Sequence, residues 1–217
     1  MTESLELTET FIQTPHELEA EFRTAAPVRP VKIPSGINGW LVTRHEDVKA
    51  VLTDPRTLSL HRTAQGYVPA FVGLSSRVSG VAALRADPAR MPDAVEELLR
   101  YESPLHTGTL RFTAEDIEIG GVPIPANEFV FVSLLSANRD DAGFEEPDKL
   151  DISRSTNGHV AFGHGIRHCL GAPLARLEGR IAIGRVLDLH LAVDPDTLTW
   201  RTSSLMRDLE VLPVRTK

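Results

Sequence analysis

The chain has 217 residues, of which 41% are hydrophobic and 24% charged, a balance that supports one sizeable buried core. A single cysteine rules out an internal disulfide framework and fits a reducing compartment; a net charge of −7 and 6% aromatic residues leave neither the basic face nor the stacking surface that nucleic acid requires. No window reaches the ~18–20 uninterrupted apolar residues of a membrane span, and the acidic opening lacks the basic start and apolar run of a signal peptide, so a cytoplasmic location is expected.

In chain order, residues 11–24 read as a short amphipathic helix, and "VKIPSGINGWLVTR" (31–44) as strand, turn and strand. Val48, Val51 and Leu52 form a helical apolar face that Asp54-Pro55 ends. Gly66, Pro69, Gly73 and Gly80 break any period over 61–85, which reads as loop, with a helix starting near Val81. Residues 87–104 form a helix, with Pro92 in its first turn and Pro104 beyond its end. Segment 108–135 is rich in β-branched and aromatic residues, with a hairpin at Gly120-Gly121. Segment 136–160 has almost no apolar run and reads as an unusually long loop, of the kind that is either functional or disordered. A long helix follows from about Leu170, its stripe of Leu170, Leu174, Leu177 and Ile181 expected to be buried. The tail, 191–215, reads as short strands, and no internal repeat is visible.

The stretch "AFGHGIRHCLGAPLARLEGR" (161–180) concentrates the chemistry. Arg167 and His168 precede Cys169 and a helix starts just behind it, surroundings that stabilise negative charge on sulfur. Gly163 and Gly165 permit tight turning, and Gly171 leaves space where something flat could lie over the helix start. Three readings stay open from the residues alone. Cys169 is a buried structural thiol, a zinc ligand with His159, His164 and His168, or a nucleophile paired with a histidine.

"FGHGIRHCLG" (162–171) also matches the pattern F-G-x-G-x-[R/H]-x-C-x-G, and so resembles the proximal haem loop of the cytochrome P450 family of haem-thiolate monooxygenases. "EELLRY" (96–101) resembles the family's E-x-x-R helix. "SANRD" (136–140) and "FEEPDKLDISR" (144–154) resemble its meander loop, and "LVTRHEDVKAVLTDPRTLS" (41–59) its early strand and helix. The resemblance implies a mainly α fold with a smaller β portion (α+β) in one domain spanning 1–217. This is a partial cytochrome P450 fold, with an N-terminal strand and helix region to residue 60, an apparent internal deletion at 61–85, and the haem-loop half over 86–217.

The resemblance implies haem b (iron protoporphyrin IX) as cofactor, with Cys169 the axial thiolate ligand of its iron. Phe162 would pack beneath the ring, within the loop shaped by Gly163, Gly165 and Gly171. Arg167 and Arg111 would bind the propionates, with His106 counted beside them. Glu97 and Arg100 would form a buried pair that locks the meander to the core, its third member being Lys149 or Arg154. The family's distal helix, with its A/G-G-x-D/E-T acid–alcohol pair, has no counterpart, nor has its H-x-x-x-R helix, so no catalytic side chain is assigned. The implied activity is insertion of one oxygen atom from O2 into a small organic substrate, with electrons from a ferredoxin-type donor. The missing distal wall implies self-association through an exposed apolar face. The alternative is a catalytically inactive haem-binding or partner-binding relic.

Overall fold

Apolar residues flank the Pro34-Ser35-Gly36 turn within 28–42 and run together in 129–132, and these two stretches make the centre of the sheet. The computed structural model describes residues 4–59, 84–194, 197–203 and 205–216. Strands β1 (Leu5–Glu6), β2 (Val28–Lys32), β3 (Asn38–Val42), β4 (Thr57–Ser59), β5 (Arg111–Thr113) and β8 (Phe129–Val132) form one six-stranded sheet in the order β1-β2-β3-β8-β5-β4. β2 and β3 are antiparallel, with Pro30 opposite Trp40, whereas β3 and β8 are parallel, with Leu41 opposite Phe131. The expected hairpin forms separately as β6 (Ile117–Ile119) and β7 (Val122–Ile124), turning at Gly120 and Gly121 with φ of 55° and 77°.

The amphipathic N-terminal helix is two helices, α1 (Glu9–Gln13) and α2 (Pro15–Ala25). Pro15 lacks an N–H, so it starts a helix well and continues one badly. Phe11 and Phe22 pack with Val31, Leu41 and Phe131 on one part of the sheet. Helix α3 (His45–Thr53) buries Val48, Val51 and Leu52 against Val42, Val130 and Val132, as its spacing predicts. The loop read over 61–85 lies, as far as residue 83, outside the described residues, as does the helix start near Val81.

Helix α4 (Met91–Tyr101) packs Ala94, Val95, Leu98 and Leu99 against α6 (Ala172–Val186) and the residues before it. A short helix, α5 (Leu134–Ala137), follows β8 where the sequence suggests continuing strand; Ser133 caps it by accepting the Ser136 amide. Most of the tail is irregular, and only β9 (His190–Leu191) and β10 (Val214–Arg215) pair.

One expectation is corrected. Leu174, Leu177 and Ile181 are 59%, 54% and 58% exposed, and Leu170 is 99% exposed. The buried face of α6 is instead Ala172, Gly179 and Ile183. Ile183 packs toward α4 beside the small Ala172 and Gly179, and the bulkier stripe lies about 170° round the helix, at 100° per residue.

The long segment after α5 is irregular yet firmly held. Arg100, fully buried, donates from Nε to Glu97 Oε2 at 2.8 Å and from Nη2 to Glu97 Oε1 at 2.9 Å. Its Nη1 reaches the carbonyls of Asn138 at 2.8 Å and Pro147 at 2.9 Å. Glu97 Oε1 also accepts the Asp151 amide at 2.8 Å. The third member is Arg154, whose Nε lies 3.4 Å from Glu97 Oε1; Lys149 offers Arg100 only its carbonyl, and its Nζ pairs with Glu146. Removing one partner of such a buried pair strands the other charge, at a cost of about 3–5 kcal/mol. Arg100→Leu should therefore lower the urea-unfolding free energy by about that amount, whereas Lys149→Ala should leave it nearly unchanged.

Candidate functional site

The residues between α4 and β5 and those around Cys169 enclose a cavity of about 220 Å³. One wall is extended chain, with Pro104, Leu105, Gly108, Thr109 and Arg111. The facing wall is the cysteine loop, with Ala161, Phe162, Gly163, Arg167 and Cys169, and Ala175 of α6. Leu52, Leu99 and Leu134 close the apolar end.

The loop's shape follows from its glycines. Gly163 and Gly165 have φ of 77° and 67°, a backbone region costly for any side chain. A Cβ on Gly165 would also meet Thr53 Cγ2 of α3 at 2.6 Å. The turn closes with the Cys169 amide donating to the Phe162 carbonyl at 2.8 Å, and Cys169 itself is partly exposed. A Cβ on Gly171 would stand 3.7 Å from Cys169 Sγ, so the glycine keeps the approach to sulfur clear.

Arg111 is the electrostatic centre. It is buried, it lines the cavity, and its Nε and Nη1 have no hydrogen-bond partner. Burial, with the charge of Arg167 nearby, pushes its pKa down to about 10, so it still carries its charge at neutral pH. Two guanidinium groups lining one cavity with a thiol, one of them with unmet donors, constitute a receptor for an anionic group. Such a pair would suit the carboxylates of a haem held at Cys169.

Phe162 is fixed from behind. The Arg176 guanidinium lies 4.6 Å from its ring centroid and is bound by Glu96 of α4, Nε to Oε1 at 2.6 Å. Glu96 also pairs with His159 Nε2 at 3.1 Å. Burial raises the Glu96 pKa, but these two partners outweigh it and hold it at about 2.

Of the residues expected at the cofactor site, Cys169, Phe162, Gly163, Arg167 and Arg111 come together around the cavity, with Gly171 beside the sulfur. Gly165 shapes the loop from its α3 side. His106 is a correction. Its ring turns away from the cavity, is 1% exposed, and puts Nε2 2.9 Å from Glu19 Oε1. Adjacent side chains of extended chain point to opposite sides, and Leu105 takes the cavity side. The zinc reading also fails to gather: among the described residues no three His, Cys, Asp or Glu side chains cluster as metal ligands. Sequence reasoning missed Glu96 and Glu19. Glu96 lies inside the quoted "EELLRY" motif, one residue from Glu97, while nothing local marks Glu19.

Comparison with known proteins identifies the family. The family pattern "Cytochrome P450" matches residues 90–208, more than half of the chain, and the chain belongs to the cytochrome P450 family. It is similar to Cytochrome P450 107B1 of Saccharopolyspora erythraea, 59% identical over 139 residues, which are 62% of this chain and 34% of the relative. Cytochrome P450 monooxygenase PikC of Streptomyces venezuelae is 47% identical over 146 residues, 65% of this chain and 35% of that relative. The chain thus spans about a third of the length of the curated relatives it matches. The solved structure of the tirandamycin C-bound P450 monooxygenase TamI superposes with a TM-score of 0.89 at 25% identity, covering 98% of this chain and 100% of that one. Membership implies a haem-thiolate cofactor and confirms the mixed helix-and-sheet fold. Among the described residues no helix is long and apolar enough to cross a membrane.

Glu96 titrates at about 2 in the folded protein against 4.5 ordinarily. Its stabilising contribution is therefore complete above pH ~4.5 and lost as pH falls towards 2. Glu96→Gln should flatten the acid limb of the stability curve in that window and leave the rest of the curve's shape intact, as thermal melts at stepped pH would read.

Proposed function

We propose that this chain is a haem-binding monooxygenase of the cytochrome P450 family that builds the thiolate side of its site from its own residues. The cofactor is haem b, with Cys169 as iron ligand and Arg111 and Arg167 on the propionates. The observation that carries the reading is Arg111, a buried cation with two unpartnered nitrogens in the cavity that Cys169 lines. When bound, the haem supplies dioxygen activation, to which a thiolate ligand contributes by pushing electron density towards iron.

The chain's own residues bind and orient. The Cys169 loop, held open at Gly171, presents sulfur, and Phe162, backed by Arg176, packs beside it. Arg111 and Arg167 would hold the cofactor's carboxylates through charge-assisted hydrogen bonds. The substrate is a small organic molecule and the electron donor is of ferredoxin type. No acid–alcohol pair for proton delivery is assigned to this chain.

The test is the reduced, carbon-monoxide-bound absorption spectrum of protein reconstituted with haem. The strongly red-shifted Soret band of a thiolate complex is expected from the wild type and should be lost in Cys169→Ala; an unchanged band in that variant overturns the ligand assignment. Arg111→Gln should weaken haem uptake roughly 10-fold or more, since a charge-assisted hydrogen bond contributes about 1.5–3 kcal/mol.

The stripe of Leu170, Leu174, Leu177 and Ile181 is read as the contact for a second copy of this chain. With Ile166, 89% exposed, it forms a bare, contiguous apolar face, and a two-fold contact would remove the same face from water on both protomers. Sedimentation should show a dimer that Leu174→Glu/Leu177→Glu converts to monomer. A wild-type monomer, or a dimer indifferent to the substitutions, overturns this surface.

A further inference from the structure

His106 stands beside the site rather than in it. It lies on the 104–111 segment, five of whose residues wall the cavity, and its ring points into the core behind that wall. Its Nε2 is 2.9 Å from Glu19 Oε1 of α2, and Ser133, the cap of α5, donates its hydroxyl to the same oxygen. Glu19 and Ser133 are 0% exposed. Phe11 of α1 stacks on the imidazole, centroids 5.1 Å apart. The His106 backbone is held on both sides: its amide donates to the Leu205 carbonyl at 2.9 Å, and its carbonyl accepts the Leu134 amide at 3.0 Å. Two residues on, the Gly108 amide donates to Val132 at 2.9 Å.

This cluster is a poor way to stabilise a fold. Burying a carboxylate costs several kcal/mol, and Glu19 Oε2 has no hydrogen-bond partner at all. An apolar cluster of equal volume would serve stability as well or better. What a charged, directional cluster provides is placement. It ties α2 and α5 to one point of the cavity wall, five residues before Arg111.

We propose that Glu19, His106 and Ser133 form a positioning clamp that sets the 104–111 wall, and through it Arg111, at the distance the cofactor's carboxylate requires. The inference rests on the haem reading for its ligand, but the placement of the wall can be measured without haem.

Burial disfavours ionised Glu19, yet His106, Ser133 and the more distant His16 outweigh it, so the carboxylate is kept charged. The charge is what orients the imidazole, and Gln at position 19 removes it with little change in volume.

The experiment has two arms. In the first, amide hydrogen exchange of the haem-free protein is followed by mass spectrometry over 104–111, with α4 as internal reference. Glu19→Gln and the apolar pair Glu19→Leu/His106→Leu should each speed exchange over 104–111 about 10-fold while α4 is unchanged. Equal protection in all three proteins overturns the clamp, and so does faster exchange everywhere, which marks a merely structural role.

The second arm is a double-mutant cycle in haem titrations. Glu19→Gln should weaken uptake about 10-fold in the wild-type background and have no further effect in Arg111→Gln, because it acts through Arg111. Additive losses overturn that route. If the wild type takes up no haem, the haem reading fails, and the exchange arm still decides whether the clamp exists.

Discussion

The buried Glu97–Arg100 pair is the contact on which the site depends. The segment after α5 buries few apolar side chains, Phe144, Ile152 and Val160 among them, so most of its backbone needs some other restraint. Arg100 supplies what packing cannot, with donors aimed at backbone carbonyls 38 and 47 residues further along the chain. Asn138, bound through its carbonyl, passes the restraint on: its side chain takes the Val160 amide at 2.7 Å and donates to Ser103 at 2.8 Å. Val160 leads into Ala161 and Phe162, and so into the cysteine loop. The thiol is therefore placed from α4, by a charge cluster that sits outside the cavity.

The cavity shows the complementary principle. A folded protein rarely leaves buried polar groups without partners, because each costs about 1–3 kcal/mol. Glu97, Glu96 and Glu102 illustrate the rule, since each finds a cation. Arg111 breaks it. Its cost makes sense as pre-organisation: donors already desolvated and aimed lose little on receiving an anion.

Helix α6 connects the two sides of the molecule unequally. One face is small and buried against α4, and the opposite face is large, apolar and bare. Between the two faces stand the charged Arg176, Glu178, Arg180 and Arg185, and the chain spans only about a third of the length of its curated relatives.

Much of this was legible in the residues themselves. The spacing of Val48, Val51 and Leu52 defined α3, the Gly120-Gly121 pair defined its hairpin, and the haem-loop pattern around Cys169 pointed to the family, because local geometry and turn chemistry depend on near neighbours in sequence. Spacing within α6 showed that Leu174, Leu177 and Ile181 share a face, but whether that face is covered depends on another element. Only the tertiary structure chose Arg154 over Lys149, turned His106 away from the cavity, and brought Glu19 to it across 87 residues of chain. Those outcomes follow from which side of an extended strand faces the core and which distant charge arrives there, and no local pattern carries that information.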